Sequence, residues 1–146
     1  MNAHATLPAG YRITDDPAAV DIDAVHRYLS GESYWAQGRS RETVQRSIEA
    51  SWCVSVLAPD GALAGFARVI TDFATAYYVC DLFVLQEHRG AGLGRALVQR
   101  IVEDERLAPL SGMLLTDDAQ GLYANYGFEQ TDDTRRKFMR RPRRRQ

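Results

Sequence analysis

"DLFVLQEHRGAGLGRALV", from Asp81 to Val98, decides how this chain is read. It runs as an apolar strand, a glycine-rich turn and a helix. Gly90, Gly92 and Gly94 stand at alternate positions, with Arg89 before them and Arg95 after. Packing alone seldom asks for that arrangement where a strand becomes a helix. A phosphate does. The first N–H groups of a helix have no intrahelical partner, and the helix dipole places partial positive charge there. Glycines lack Cβ, so the backbone can curl round an anion and approach it closely. The stretch predicts an anionic ligand, a pyrophosphate, at the carboxyl end of a central strand, where α/β folds place ligands.

Outward from this stretch, the chain divides cleanly into elements. "GYRIT" (10–14) is a short strand. "DPAAVDIDAVHRYLSG" (16–31) is a helix capped by Asp16, with Pro17 in its first turn and Val20, Val25, Tyr28 and Leu29 on one face. "ESYWAQGRS" (32–40) is an aromatic, polar loop, and "SRETVQRSIEAS" (40–51) a second helix with Ser40 as cap and Val44 and Ile48 turned inward. "WCVSVLA" (52–58), the turn "PDG" and "ALAGFARVIT" (62–71) make a hairpin. "ATAYYVCDLFVL" (74–85) is apolar on both faces except at Asp81, as a central strand is. "GLGRALVQRIVEDER" (92–106) is a helix with Leu93, Leu97, Ile101 and Val102 on one side. Met113 to Thr116 is a short buried strand, and Asp118 to Tyr126 a helix stopped by Gly127 as a left-handed cap. "FEQTDD" (128–133) and "TRRKFMRR" (134–141) predict a closing hairpin. The order βααβββαβαββ is that of one α/β domain with a mixed sheet.

The chain has 146 residues, enough for one domain with a real core. No apolar run approaches the roughly 20 residues of a membrane helix, and "MNAHATLPAG" has no signal-peptide character. A cytoplasmic protein with no membrane partner is expected. Cys53 and Cys80 make no disulfide framework and no zinc pair; both read as core residues, and no metal is expected. Residues 135–146 hold eight of the 18 basic side chains and no acidic one, so residues 1–134 hold ten bases against 19 acids, a net of -9. An acidic body favours cationic small substrates and argues against nucleic acid as its partner. The basic end reads as a solvated tail; the alternatives are contact with nucleic acid or an acidic partner, and a last strand from Arg135 to Arg141 that touches a ligand phosphate or a dimer mate.

Which anion the turn holds depends on spacing. A Walker A loop needs GxxxxGK followed by Ser or Thr, and no Lys stands here. A dinucleotide fingerprint needs GxGxxG; the third glycine comes one place early, although Asp117 falls near the position of a ribose-binding acid. A third pattern fits better. Arg89-Gly90-Ala91-Gly92-Leu93-Gly94 resembles motif A, Q/R-x-x-G-x-G/A, of the GNAT (GCN5-related N-acetyltransferase) family, and "LFVLQEHRG" resembles the strand that enters it. "GLYANYGFEQ" (121–130) is similar to that family's "lYeklGF" segment. The element order agrees too, so the resemblance covers nearly the whole chain. It implies a central mixed, mostly antiparallel sheet flanked by helices, with residues 1–141 as the domain and 142–146 as a basic, disordered tail.

The resemblance also implies roles. Backbone N–H groups from Gly90 to Arg95, through Ala91, Gly92, Leu93 and Gly94 and with Arg89 beside them, take the pyrophosphate of acetyl-CoA. The backbone of Leu82, Phe83 and Val84 pairs with the pantetheine arm as a false strand. Tyr123 stands at the position of the general acid that protonates the leaving thiolate, with Tyr126 as fallback. A backbone N–H near Val84 serves as the oxyanion donor. The loop between the first two helices selects the substrate: Tyr34 and Trp35 offer an aromatic wall, Glu32 a charge, Arg39 a carboxylate-binding group, and Asp72 and Tyr78 close the same pocket. Asp81 has two readings. A lone carboxylate in a central strand is costly unless paired or used. It either handles the amine, as base or ammonium-binding group, or is a structural residue hydrogen-bonded to Arg68. His88, next to Arg89, reads as solvent-exposed.

Together these imply an acetyl-CoA-dependent N-acetyltransferase acting on a small primary amine by direct attack, with no covalent acetyl-cysteine. Three other readings stand beside it. One is a non-catalytic acyl-CoA sensor, which would not need Tyr123. Another is a protein or peptide N-acetyltransferase. The last is a nucleotide-binding Rossmann domain. An open sheet edge would also suit a homodimer.

Overall fold

Residues 6–132 and 134–143 are described by a computed structural model. Alternating apolar side chains and a tight turn dictate its first long hairpin. Strand β2 (Trp52–Leu57) runs antiparallel to β3 (Leu63–Thr71). Between them Gly61 takes φ +87° and the Asp60 carboxylate accepts from the Ala62 N–H at 2.9 Å. Strand β4 (Ala76–Val84) continues the antiparallel run on β3. Asp72 makes that second turn, accepting from the N–H groups of Ala74 and Thr75 and the Thr75 hydroxyl. A short strand β1 (Arg12–Thr14) joins β2 antiparallel, and β5 (Ser111–Leu114) joins β4 in parallel, giving the order β1-β2-β3-β4-β5. The sheet is thus mixed and mostly antiparallel, as expected.

Helices cover both faces. Helix α1 (Ile22–Gly31) and helix α2 (Arg41–Glu49) place Val25, Leu29 and Val44 against Phe66 and Phe83. Helix α3 (Leu93–Val102) places Leu93, Leu97 and Ile101 against Val54, Val56, Val69 and Val79 on the opposite face. The short α4 (Gln120–Ala124) follows β5. Gly127 ends it at φ +90°, and the Phe128 N–H returns to the Tyr123 carbonyl at 3.2 Å, a left-handed helix stop as expected. No helix among the described residues is long and apolar enough to cross a membrane.

One irregularity organises the sheet. Arg68 opposes Cys80 while Phe66 opposes Phe83, so two steps on β3 meet three on β4. The extra residue lies at Asp81, whose φ is +50°. Such a bulge reverses side-chain alternation. Tyr77 and Val79 face α3 before it; after it Leu82 and Val84 do, and Phe83 turns to α1 and α2.

Four expectations are corrected. The first helix does not start at Asp16. Asp16 caps a single 3-10 turn over Pro17–Ala19, Val20 is extended, and Asp21 caps α1 by accepting from the Ala24 N–H. Each Asp side chain accepts from one free N–H of its own turn, Ala18 for Asp16 and Ala24 for Asp21, so the chain breaks between them. The strand expected over Met113 to Thr116 lies earlier, and Met113 and Leu115 are exposed, because nothing among the described residues covers its outer side. His88 is half-buried and bonded through Nδ1 to the Tyr11 hydroxyl at 2.8 Å. The closing hairpin is absent among the described residues 128–143: Phe138 and Met139 are 72% and 88% exposed. "FEQTDD" and "TRRKFMRR" are each dominated by charge of one sign and offer no apolar face to pair over. The tail residues 144–146 lie outside the described residues.

Gly112 shows how closely β5 rests on β4. It sits opposite Tyr77, whose ring fills the space where a Cβ would be. Gly112→Ala should lower stability by about 1–3 kcal/mol through overpacking, read as a drop in the urea midpoint. Gly121→Ala, with open space around it, should not.

Candidate active site

The bulge at Asp81 is held by side chains from distant parts of the chain. Its Oδ1 accepts from Trp35 Nε1 at 2.8 Å, and its Oδ2 from Arg39 Nη1 at 2.9 Å and Arg68 Nε at 2.8 Å. Arg68 Nη1 also donates to Ser51 Oγ at 3.1 Å. A non-glycine residue with positive φ is uncommon, and Asp tolerates it better than most. Burial alone would raise the carboxyl's pKa; the Arg68 charge and hydrogen bond, the Trp35 hydrogen bond and the Arg39 charge outweigh it, and Asp81 lies below the usual range. The hydrogen bond to Arg68 that the structural reading expects is present, at 2.8 Å.

The same bulge opens the sheet. β4 and β5 pair only from Ala76 with Ser111 to Val79 with Leu114. Beyond that, the edge of β4 from Cys80 to Val84 that faces β5 has no strand partner among the described residues. A cleft of about 500 Å³ lies there, lined by β4, the loop after α1, the loop before α4, and α4 itself. At one end is the glycine turn. Gly90 and Gly92 take φ +84° and +81°, and α3 begins directly after, at Leu93. Its first N–H groups lack intrahelical partners. Leu93 itself is buried in the core, whereas Arg95 is exposed. A Cβ at Gly94 would meet only ordinary contacts with Leu122 and Val84, so no clash demands a glycine there. The Arg89 guanidinium folds back onto the sheet, donating through Nε to the Val84 carbonyl at 3.0 Å and through Nη2 to the Tyr28 hydroxyl at 3.2 Å.

At the cleft wall stands Tyr123, 9% exposed, held by an edge contact to Phe128 with ring centroids 5.8 Å apart. Its phenol has no hydrogen-bond partner among the described residues. Burial, then the charges of Tyr34 and Asp118, push its pKa up to about 12. Opposite, Tyr34 and Trp35 meet edge to face at 5.0 Å, and Trp35 lies 6.4 Å from Tyr28. The Tyr34 hydroxyl accepts from the Asp117 N–H at 3.2 Å, which ties the loop after α1 to the loop before α4 across the cleft.

Of the expected site residues, the structure gathers Tyr34, Trp35, Tyr78, Asp81, Leu82, Arg89 and Tyr123 at this one cleft. It moves two others away, and it keeps Phe83 at the open edge through its backbone, the part expected to act. Asp72 lies in the β3–β4 turn, outside the cleft, because its carboxylate is used up capping that turn. Arg39 spends its guanidinium on Asp81 and is not placed to take a substrate carboxylate. The Phe83 side chain is buried beneath α1, stacked on Tyr28 at 4.0 Å, so only its backbone borders the splayed edge. Residues that sequence reasoning missed also line the cleft: Tyr28, Asp118 and Cys80. Tyr28 lies on the apolar face of α1 and so reads as core in the sequence. Cys80 is the cysteine nearest the chemistry, but burial pushes its thiol up to about 11, and Sγ donates to the Arg68 carbonyl at 3.3 Å. Among the described residues, no group of three or more His, Cys, Asp or Glu could hold a metal.

The anchor is testable by pH. Asp81 titrates below its ordinary 3.8 when folded, so the unfolded chain binds the extra proton. Its stabilisation is complete above the unfolded value and is lost as pH falls through the folded one. Asp81→Asn should cost about 3–5 kcal/mol at neutral pH by leaving buried guanidinium charge uncompensated. It should also flatten the fall in stability below pH ~4, measured by denaturant titration across pH.

Comparison with known proteins agrees with this geometry. Residues 50–130, more than half of the chain, match the family model described as an acetyltransferase (GNAT) domain. A crystal structure from Xanthomonas campestris pv. campestris, assigned to the GNAT family, superimposes with a TM-score of 0.87 at 38% identity, covering 94% of this chain and 96% of that one. A protein of Gibberella zeae named as an acetyltransferase is 28% identical over 133 residues, 77% of this chain and 75% of its own. A Clostridium acetobutylicum structure, solved with acetyl-CoA, shares the fold at a TM-score of 0.62 and 16% identity, over 84% of this chain and 91% of that one. With the sheet, the splayed cleft and the glycine turn in place, these matches make the chain a member of the GNAT family of N-acetyltransferases.

Proposed function

We propose that the protein transfers the acetyl group of acetyl-CoA to the primary amine of a small molecule, by direct attack within a ternary complex. The observation that carries this is Tyr123: a nearly buried phenol, unpartnered, at the wall of a cleft that leads from the open edge of β4 to the amino end of α3. A packing residue would not need its hydroxyl there.

The residues present suit acetyl-CoA. The N–H groups at the start of α3, with Gly90 and Gly92 in left-handed conformation and Arg95 exposed beside them, fit a pyrophosphate. The unpaired edge of β4 fits the amide groups of the pantetheine arm, by strand addition. In the step itself, the nitrogen lone pair of the neutral amine attacks the thioester carbonyl. A C–N bond forms, a backbone N–H near Val84 stabilises the oxyanion, and the C–S bond breaks as the intermediate collapses. Tyr123 gives its proton to the departing thiolate and regains one from solvent as the new amide's nitrogen loses its surplus proton. Burial pushes this phenol up to about 12, so it is protonated in the resting protein, and its proton transfer has to be driven by collapse of the intermediate and resupply from solvent.

Asp81 is given no proton-transfer role here. A carboxylate bound by three donors is a weak base, and its task is to fix the bulge that opens the cleft. A covalent acetyl-cysteine is not used either, since the Cys80 thiol stays protonated at neutral pH.

Isothermal titration should show micromolar binding of acetyl-CoA, about -8 kcal/mol, and none of NAD. Arg89→Ala should weaken it about tenfold. Tyr123→Phe should leave acetyl-CoA affinity intact and lower kcat about a hundredfold. Equal turnover by the Tyr123→Phe variant would remove it as the acid.

A further inference from the structure

We infer that Tyr11 and His88 are positioning residues for the phosphate turn, a pin that holds Gly90 to Gly94 in its binding shape before acetyl-CoA arrives. This deepens the proposed function and rests on it.

The turn has little of its own to hold it. Gly90 and Gly92 take φ +84° and +81°, and a glycine can leave that region for many others. The 3-10 turn before it, Gln86–His88, has no side-chain cap, and Gln86 and Glu87 are exposed. Downstream, the nearest anchor is Leu93, 1% exposed in the core. Upstream, the nearest anchors are residues 88 and 89, and each meets a tyrosine from a different face of the sheet. Arg89 Nη2 donates to the Tyr28 hydroxyl at 3.2 Å. His88 Nδ1 is hydrogen-bonded to the Tyr11 hydroxyl at 2.8 Å, and the two rings meet edge to face with centroids 5.7 Å apart. Tyr28 belongs to the core under α1 and α2, whereas Tyr11 packs on the core under α3.

Tyr11 is itself fixed without help from the glycine turn. Its N–H donates to the Pro8 carbonyl at 3.1 Å, closing a tight turn in which Gly10 takes φ +83°. A Cβ at Gly10 would come within 2.9 Å of the Pro59 ring, so this turn lies flat on the β2–β3 hairpin. The next residue, Arg12, begins β1 opposite Leu57. The bond from Tyr11 to His88 therefore ties the approach to the glycine turn to the far side of the sheet, across 77 positions of sequence. The Tyr11 ring serves packing. Its hydroxyl adds a fixed direction for the residues that lead into the turn. A loop already ordered binds more tightly than one that its ligand must order.

The test uses Tyr11→Phe, which keeps the ring and removes the hydroxyl. Its urea midpoint should stay close to that of the wild type, while its Kd for acetyl-CoA, by isothermal titration, should rise about three- to tenfold. Amide hydrogen exchange should quicken at residues 88–93 of the free protein and return to the wild-type rate once acetyl-CoA saturates. With an amine that is turned over, KM for acetyl-CoA should rise by the same factor and kcat should not change. His88→Leu should match Tyr11→Phe, and the double variant should be no weaker than either. His88→Asn, whose amide reaches the place of Nδ1, should recover the affinity. Should Tyr11→Phe fail to fold, His88→Leu against His88→Asn makes the same comparison. An unchanged Kd, or exchange that quickens throughout the chain, would overturn the inference and leave the proposed function in place. A raised Kd, in a protein whose wild type acetylates no amine, would uphold the pin and remove the transferase reading. No binding of acetyl-CoA by the wild type would overturn both.

Discussion

The carboxylate of Asp81 ties together a helix-connecting loop, an inner strand and the strand next to it. Trp35 and Arg39 reach it from the loop and Arg68 from β3. Each bond is ordinary in length. What matters is that the carboxylate is buried, so its charge is tolerable only while its donors stay in place. The donors in turn fix the backbone at a positive φ, the φ fixes the bulge, and the bulge parts β4 from β5. The cleft is therefore a consequence of a charge cluster that sits beside it. Buried ion pairs are seldom chosen for stability alone. Here the gain is a defined shape.

The glycine turn works by a different economy. It contributes no charged side chain to the core and few contacts, only backbone N–H groups aimed into solvent at the head of a helix whose body is firmly packed. Leu93, Leu97 and Ile101 anchor α3 against the sheet. The amino end of the helix is thereby held still without any group standing in front of it. A rigid helix with a bare end is what a pyrophosphate needs, and the burial behind supplies the rigidity.

Much of this was legible in the sequence because it is local. The turn at Gly90 to Gly94, the strand before it, the helix after it, the Ser40 cap and the Gly127 stop all depend on neighbours a few positions away. The fold class followed from the order of such pieces. What was not legible depended on side chains meeting across long separations. Arg39 looked free because nothing in its neighbourhood uses a guanidinium; its partner is 42 positions on. Asp72 looked like a pocket residue because its use as a turn cap depends on how tightly β3 returns into β4. Tyr28 looked like core, and it is core on one edge while its hydroxyl meets Arg89. The expected final hairpin failed for a different reason: strand propensity was read from a segment whose charge gives it no face to bury.

The bulge at Asp81 has one more consequence, for how this chain can change over time. It inverts the inside and outside of β4 halfway along, so that one run of apolar residues serves the core under α3 and the core under α1 and α2 in turn. Loss of a single residue there would not merely shorten the strand. It would send Phe83 into the space of its neighbours and close the gap between β4 and β5 in the same stroke. Substitutions along β4 can be absorbed by local repacking, but insertions and deletions cannot. The length of this strand, counted residue by residue, is under tighter constraint than the identity of most side chains it carries.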